Sequence, residues 1–216
     1  MIDRRSVAVA GHTGDVATAE AGLHHDDPAV RATALGALDR LGRLEDARLA
    51  QAFTDPDVVV RRRAVELAAA RPLVDLTVPL ADADPTVVEV AAWACGEHET
   101  VADAVLTTLV ALAGGHSHGA AALVREASVA ALGAIGDERG LDAILTATTD
   151  RPAIRRRAVL ALAPFVDPAA PRAAEVAAAL QRAAADRDWQ VRQAANRLYQ
   201  RIGFDRRETN LYRYTL

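Results

Sequence analysis

The segment Asp27-Pro28-Ala29-Val30-Arg31-Ala32-Thr33-Ala34-Leu35 joins an acidic turn to an apolar helix pattern, and its core recurs along the chain. It returns as Val60-Arg61-Arg62-Arg63-Ala64-Val65, as Val124-Arg125-Glu126-Ala127-Ser128-Val129, as Ile154-Arg155-Arg156-Arg157-Ala158-Val159 and as Val191-Arg192-Gln193-Ala194-Ala195. A variant copy, Val88-Glu89-Val90-Ala91-Ala92-Trp93, carries Glu in place of the arginine. The anchors at 31, 61, 89, 125, 155 and 192 are spaced by 30, 28, 36, 30 and 37 residues. A period of this size marks a stack of supersecondary units, each touching only its neighbours.

Each unit reads as two helices. The first helices are expected near 15–24, 44–53, 72–81, 99–113, 137–148 and 169–185. The second helices are expected near 28–42, 57–70, 85–97, 121–136, 152–165 and 188–203. Asp27-Pro28, Asp55-Pro56, Asp84-Pro85 and Asp150-Arg151-Pro152 supply the starts. An aspartate accepts orphan amide protons there, and proline has none to lose in the first turn. Gly42, Gly96, Gly136 and Gly203 supply the stops. In the first unit, Val30, Ala34, Leu35, Leu38 and Leu41 form one apolar face; Ile154, Ala158, Val159 and Leu162 are its counterpart in the fifth. One hairpin cannot bury such a stripe, so neighbours must stack on it. The last second helix is more polar, with Gln190, Gln193, Asn196, Arg197, Gln200 and Arg201, as the end of a stack requires.

The Asp-Pro-x-Val-Arg opening with its Ala/Leu helix resembles HEAT repeats, particularly the short bacterial kind of the phycocyanobilin-lyase-like group. The resemblance covers about residues 14–203. It implies an all-α fold, an α-α superhelix of about six helical hairpins in a single domain spanning 1–216, with a tail at 204–216. It also implies that the second helices line a concave face serving as a platform for partners. The chain departs from the pattern at Glu89, in the missing Asp-Pro before the fourth unit, and at Trp189 in place of the last proline.

Composition narrows the chemistry. Half of the 216 residues are hydrophobic but only 4% are aromatic, so alanine-rich helices must approach closely. All 25 basic residues are arginine, which excludes a Schiff-base lysine and a P-loop lysine. No apolar run is long enough for a membrane span and the N-terminus lacks a signal-like segment, so a cytoplasmic protein is expected. The net charge of -4 is uneven: residues 1–150 carry -11 and residues 151–216 carry +7. The basic C-terminal third suits an acidic protein partner or nucleic acid.

The anchor arginines Arg31, Arg61, Arg125, Arg155 and Arg192 recur in register; Asp27, Asp57 and Asp188 lie four residues before their anchors, and Asp84 and Asp150 five. That register predicts a structural ladder in which each guanidinium bridges carboxylates and carbonyls of adjacent turns. The next two columns vary, and Arg62, Arg63, Arg156 and Arg157 are not explained by a ladder. They are the leading candidates for partner contact. Arg197 and Arg201, with Tyr212, Arg213 and Tyr214 of the tail, extend that set, since Tyr and Arg dominate binding hot spots. The tail reads either as a docking peptide or as a strap over the last repeat.

Other constellations are incomplete. His116 and His118 in the loop 114–119, and His24-His25-Asp26-Asp27, offer too few ligands for a closed metal site, and Cys95 is the single cysteine. No metal or cofactor is expected. The pair His98-Glu99 resembles the His-Glu pairs of deoxyhypusine hydroxylase, which needs several. Trp93 and Glu97 on one helix face, with Trp189, resemble features of the alkylpurine DNA glycosylases built on HEAT-like repeats. Yet Trp93 shares the slot of Leu35, Val65, Val129 and Val159, an expected core position. Ser128 takes the Ala34 slot, and no Gly-x-Ser-x-Gly elbow is present. The expectation is a non-enzymatic scaffold binding a protein partner. A nucleic-acid-binding or glycosylase-like protein and a lyase-like accessory factor are the alternatives.

Overall fold

A helix start leaves amide protons without partners, and this chain meets them with aspartate in repeat after repeat. Asp27, Asp57, Asp84 and Asp188 accept from the amides of Ala29, Val59, Thr86 and Gln190 at 2.8–2.9 Å. The computed structural model describes residues 2–115, 122–201, 204–206 and 212–214, with side chains up to residue 200. The chain is a helical-repeat solenoid. Its helices are α1 (Arg4–Thr13), α2 (Val16–Gly22), α3 (Pro28–Arg40), α4 (Asp46–Ala52), α5 (Val58–Ala68), α6 (Thr77–Leu80) and α7 (Pro85–Gly96). They continue as α8 (Asp103–Ala113), α9 (Ala122–Ile135), α10 (Leu141–Ala147), α11 (Pro152–Ala161), α12 (Ala173–Ala184) and α13 (Trp189–Arg201). Two three-residue strands follow, β1 (Phe204–Arg206) and β2 (Tyr212–Tyr214), antiparallel with Phe204 opposite Tyr214.

The described chain falls into two compact units that divide after Val101. In the first, α1, α3, α5 and α7 stack in order, and α2, α4 and α6 pack against them. In the second, α9, α11 and α13 stack, with α8, α10 and α12 alongside. The apolar stripes are buried as the periodicity predicts: Val30, Ala34, Leu35 and Leu38 in α3, and Ile154, Ala158 and Val159 in α11 with Leu162 just beyond it. Small residues set the spacing. A Cβ on Gly133 of α9 would lie 2.5 Å from the Ala161 Cα of α11, so glycine permits that approach.

The anchor arginines form the expected ladder, with a partner the sequence pattern does not single out. Arg31 grips Asp55 of the next turn in a fork, at 2.9 and 2.7 Å, and donates to its own turn's His25 and Asp26 carbonyls. Arg61 repeats this with Asp82, at 2.7 and 3.0 Å, and with the Asp55 and Pro56 carbonyls. Arg155 grips Asp186 at 2.8 Å twice and donates to the Asp150 carbonyl. Arg125 pairs with Asp150. Each gripped aspartate lies ahead of the helix cap rather than being the cap. Asp55, Asp82 and Asp186 also accept the amides of Asp57, Asp84 and Asp188, which shapes the turn. Arg192, in the last repeat, holds the Asp186 and Arg187 carbonyls and no carboxylate among the described residues.

Several expectations are corrected. Residues 4–13, outside the predicted repeats, form α1, an extra second-type helix capped by Asp3 and stacked on α3. The expected 72–81 helix shrinks to the single turn α6, because Asp75 turns the chain just ahead of it by accepting the Thr77 amide. Asp150 serves as a ladder carboxylate, and Arg151 at the cap position makes no side-chain capping bond. Asp57, not Asp55, caps α5. Of the predicted stops, Gly42 and Gly136 take left-handed backbone, whereas Gly96 ends α7 inside the helix and Gly203 lies outside the described residues. The register of α7 also moves by one. Val87, Ala91, Ala92 and Cys95 fill the buried stripe, which puts Val88 in the arginine column. The anchors are therefore 31, 61, 88, 125, 155 and 192, and α7 contributes no rung.

Two outcomes test this framework. The Arg155 and Asp186 side chains are only 10% and 14% exposed, so Arg155→Ala should cost about 2 kcal/mol, between a surface pair and a buried one, read from urea unfolding. The Arg155 hydrogen bonds outweigh burial and hold Asp186 below its ordinary pKa. Its contribution is therefore full above the unfolded value of about 4 and fades as pH falls through the lower folded value. The stability gap between the wild type and Asp186→Asn should accordingly narrow between pH 5 and pH 2, each an approximate bound. Gly133→Ala should destabilise by about 1–2 kcal/mol in thermal melts, because overpacking against the Ala161 backbone exceeds the ~1 kcal/mol helix-propensity gain.

Candidate functional site

In the first unit, α1, α3 and α5 turn one face away from the first helices, and a depression of about 520 Å³ runs across it. Its middle is built from small groups of α3: Ala29, Ala32, Thr33 and Gly36. Arg4 and His12 of α1 stand on one side, with Val59, Arg62, Arg63 and Glu66 of α5 on the other and Arg40 at the end of α3. The repeat explains this arrangement. The anchor column is consumed by the turns, and the columns one and two residues later point to this face. Arg62 and Arg63 occupy them in α5, as the sequence predicts for partner contact.

Glycine lets the arginines lie low in the groove. A Cβ on Gly36 would come within 2.8 Å of the Arg63 guanidinium, and one on Gly11 within 2.8 Å of Arg40 Nη1. Arg63 is held by Glu66 at 3.1 Å, a pair on successive turns of α5. Arg4, Arg40 and Arg62 make no ion pair among the described residues. The groove thus holds four guanidiniums against one carboxylate, inside a unit whose remaining surface is acidic. Arg4 and Arg40 carry no repeat signal because neither belongs to a complete repeat column: α1 lacks the Val-Arg pair, and Arg40 follows the Arg31 anchor by nine residues.

The corrected register changes the reading of α7. Trp93 does not enter the core; it is 48% exposed and shares its column with Gly36 and Glu66 of the groove. Ala92 takes the core slot instead. Glu89 falls in the Arg62 column and Glu97 in the Arg40 column. The same face is therefore basic across α1, α3 and α5 and becomes acidic and aromatic at α7.

In the second unit, Arg156 and Arg157 of α11 approach Glu126 of α9, with Nη2–Oε1 distances of 3.7 and 3.5 Å. Glu126 partly neutralises them, and Arg157 Nε is buried without a hydrogen-bond partner among the described residues. Leu123, Leu160 and Trp189 are the exposed large apolar side chains of α9, α11 and α13. Arg197 is exposed on α13. The side chains of Arg201, Tyr212, Arg213 and Tyr214 lie outside the described residues, as do His116 and His118.

The remaining polar candidates have structural roles. His25 Nδ1 accepts the Asp27 amide at 3.0 Å, which makes His24-His25-Asp26-Asp27 a turn. His98 is buried with Nε2 3.1 Å from the Ala68 carbonyl of α5. Ser128 is buried and donates to the Val124 carbonyl at 2.8 Å. Burial first, and Asp75 second, push the Cys95 thiol up to about 12, so it stays protonated. Among the described residues no cluster of three or more His, Cys, Asp or Glu side chains is placed to hold a metal ion. None of the described helices is long and apolar enough to cross a membrane.

Residues 72–163 match the HEAT repeats family. Among solved structures, the chain is similar to an engineered protein from the Northeast Structural Genomics Consortium, with 20% identity and a TM-score of 0.59 over 86% of this chain and 95% of that one. It is similar to a designed armadillo repeat protein, with 17% identity and a TM-score of 0.60 over 86% and 98%. It is also similar to importin beta, with 14% identity and a TM-score of 0.58 over 90% of this chain and 30% of that one. At these identities the likeness is one of fold. No curated protein matches the sequence.

The position of Trp93 is directly testable. A core tryptophan cut to alanine costs about 3–5 kcal/mol, whereas Trp93→Ala should cost about 1 kcal/mol or less in urea unfolding.

Proposed function

We propose that this chain, whose residues 72–163 are HEAT repeats, is a non-enzymatic scaffold that seats an acidic segment of a partner protein on the second-helix face of its first unit. The observation that carries this reading is the groove across α1, α3 and α5, with Arg4, Arg40, Arg62 and Arg63 around a floor of small residues. Guanidiniums recognise carboxylates through paired donors, and those that fold-maintaining partners leave free are the ones available to a ligand. Arg31 and Arg61, by contrast, are engaged by Asp55 and Asp82 and hold the shape of the unit.

The sequence pointed to the basic C-terminal third, through Arg156, Arg157, Arg197, Arg201, Tyr212, Arg213 and Tyr214. The first-unit groove supports the scaffold reading more strongly, because Glu126 already faces Arg156 and Arg157. Protein is favoured over nucleic acid by Glu66, Glu89 and Glu97, which share the arginine face and would oppose a continuous phosphate backbone. A base-acting or pigment-handling role draws no support from the described side chains, since buried His98 and Ser128 are engaged by the fold.

The test is capture from the native host with tagged wild type and with Arg40→Glu/Arg62→Glu, each in nuclease-treated and untreated halves. Both arginines are exposed, so the variant should keep its melting temperature. A protein captured by the wild type should survive nuclease and fall by about tenfold or more with the variant, since reversed charges repel an acidic segment. Capture that disappears with nuclease, or that ignores the charge reversal, would overturn the reading.

A further inference from the structure

We infer that the second-helix face of the first unit is bipolar by construction, and that its partner segment is acidic where it crosses α1, α3 and α5 and carries a cationic side chain where it reaches Trp93 on α7. This deepens the groove reading above and rests on it.

The corrected register places α7 in line with the groove helices, packed on α5 as α5 is packed on α3. Position by position, the face changes sign. The column that holds Ala32 and Arg62 holds Glu89 in α7, and the column that begins with Arg40 ends with Glu97. Between those carboxylates, one helical turn from each, stands Trp93, nearly half exposed. Neither glutamate makes an ion pair among the described residues. An indole face flanked by two unpaired carboxylates attracts a guanidinium or ammonium, which lies over the ring and answers the charge beside it. An apolar occupant would leave both carboxylates facing low-dielectric surface, and an acidic one would be repelled.

Helix spacing gives the segment a length. Stacked helices lie about 8–10 Å apart and an extended chain covers about 3.3 Å per residue. Crossing from α1 to α5 takes about six residues, and one further helix takes about three. The matching probe is therefore an acidic block of that length, a two-residue spacer, and then one arginine.

The experiment uses the full chain and labelled peptides, read by fluorescence anisotropy in low salt. The probes are hexaglutamate, hexaglutamate followed through two glycines by arginine, the same peptide in reversed order, and versions with citrulline in place of arginine. Citrulline keeps the shape and removes the charge. One of the two arginine orders should bind about tenfold more tightly than its citrulline counterpart. Trp93→Ala should abolish that gain and leave hexaglutamate affinity unchanged, and Glu89→Gln/Glu97→Gln should reduce the gain without touching the indole. Equal affinity for arginine and citrulline peptides, or a gain that persists in Trp93→Ala, would sink the bipolar assignment while leaving the arginine groove standing. Failure of every acidic peptide to bind would remove the groove reading as well.

Discussion

A single interaction is repeated until it becomes a framework: an arginine early in α3, α5 and α11 reaches the turn of the following repeat and takes its aspartate in a two-pronged grip. Arg31–Asp55 and Arg61–Asp82 do this in the first unit and Arg155–Asp186 in the second, where Arg125 of α9 also pairs with Asp150. The same aspartate bends its own turn through an amide two residues on, as Asp55 does with Asp57. The carbonyls of that turn then receive the next arginine, as Asp55 and Pro56 receive Arg61. The Asp55, Asp150 and Asp186 turns are thus held from both sides, so a rung sets the spacing of neighbouring hairpins as well as the shape of one. With a core made largely of alanine and valine, such directional contacts add what bulky interdigitating side chains supply elsewhere.

The ladder also determines which charges remain available. An anchor arginine has its donors committed to a carboxylate and to carbonyls, so it can offer little to a ligand. The residues that follow it on the helix have no turn to serve. In α5 these are Arg62 and Arg63, and in α7 they are Glu89 and Val90. Small residues at Ala32 and Gly36 open the floor between α1 and α5, and the arginines settle against it. Structure and recognition are therefore carried by adjacent columns of the same helices. That separation allows the recognition columns to vary from repeat to repeat while the anchor column stays nearly constant.

Much of this was legible beforehand. The period announced the hairpins, the aspartates announced the caps, and the recurrence of arginine in five of the six anchor positions announced the ladder. Arg62 and Arg63 stood out as charges with no structural duty. What escaped was of three kinds. The helix α1 carries neither the Val-Arg pair nor an Asp-Pro start; its Asp3–Ser6 capping box is a local signal that periodicity does not register. The ladder's carboxylates are not singled out by the pattern, since Asp55 and Asp57 are equivalent on paper and differ only in which one faces the preceding repeat. In α7, Val87 and Val88 are adjacent valines, and an alignment on the second of them turned an exposed tryptophan into a core residue.

The amino-acid sequence by itself determined the class of fold, the order of the hairpins and the existence of an arginine column, because these follow from local rules: cap chemistry, helical period and register within a repeat. Only the tertiary structure decided which aspartate each arginine holds, that α7 is read one residue earlier, and that Arg4 and Arg40 join Arg62 and Arg63 around one groove. Those facts depend on distances between residues more than twenty positions apart in the chain. A side chain's face is settled by what its helix packs against, and a one-residue step on a helix rotates it by about 100°, enough to carry Trp93 from the core to the surface.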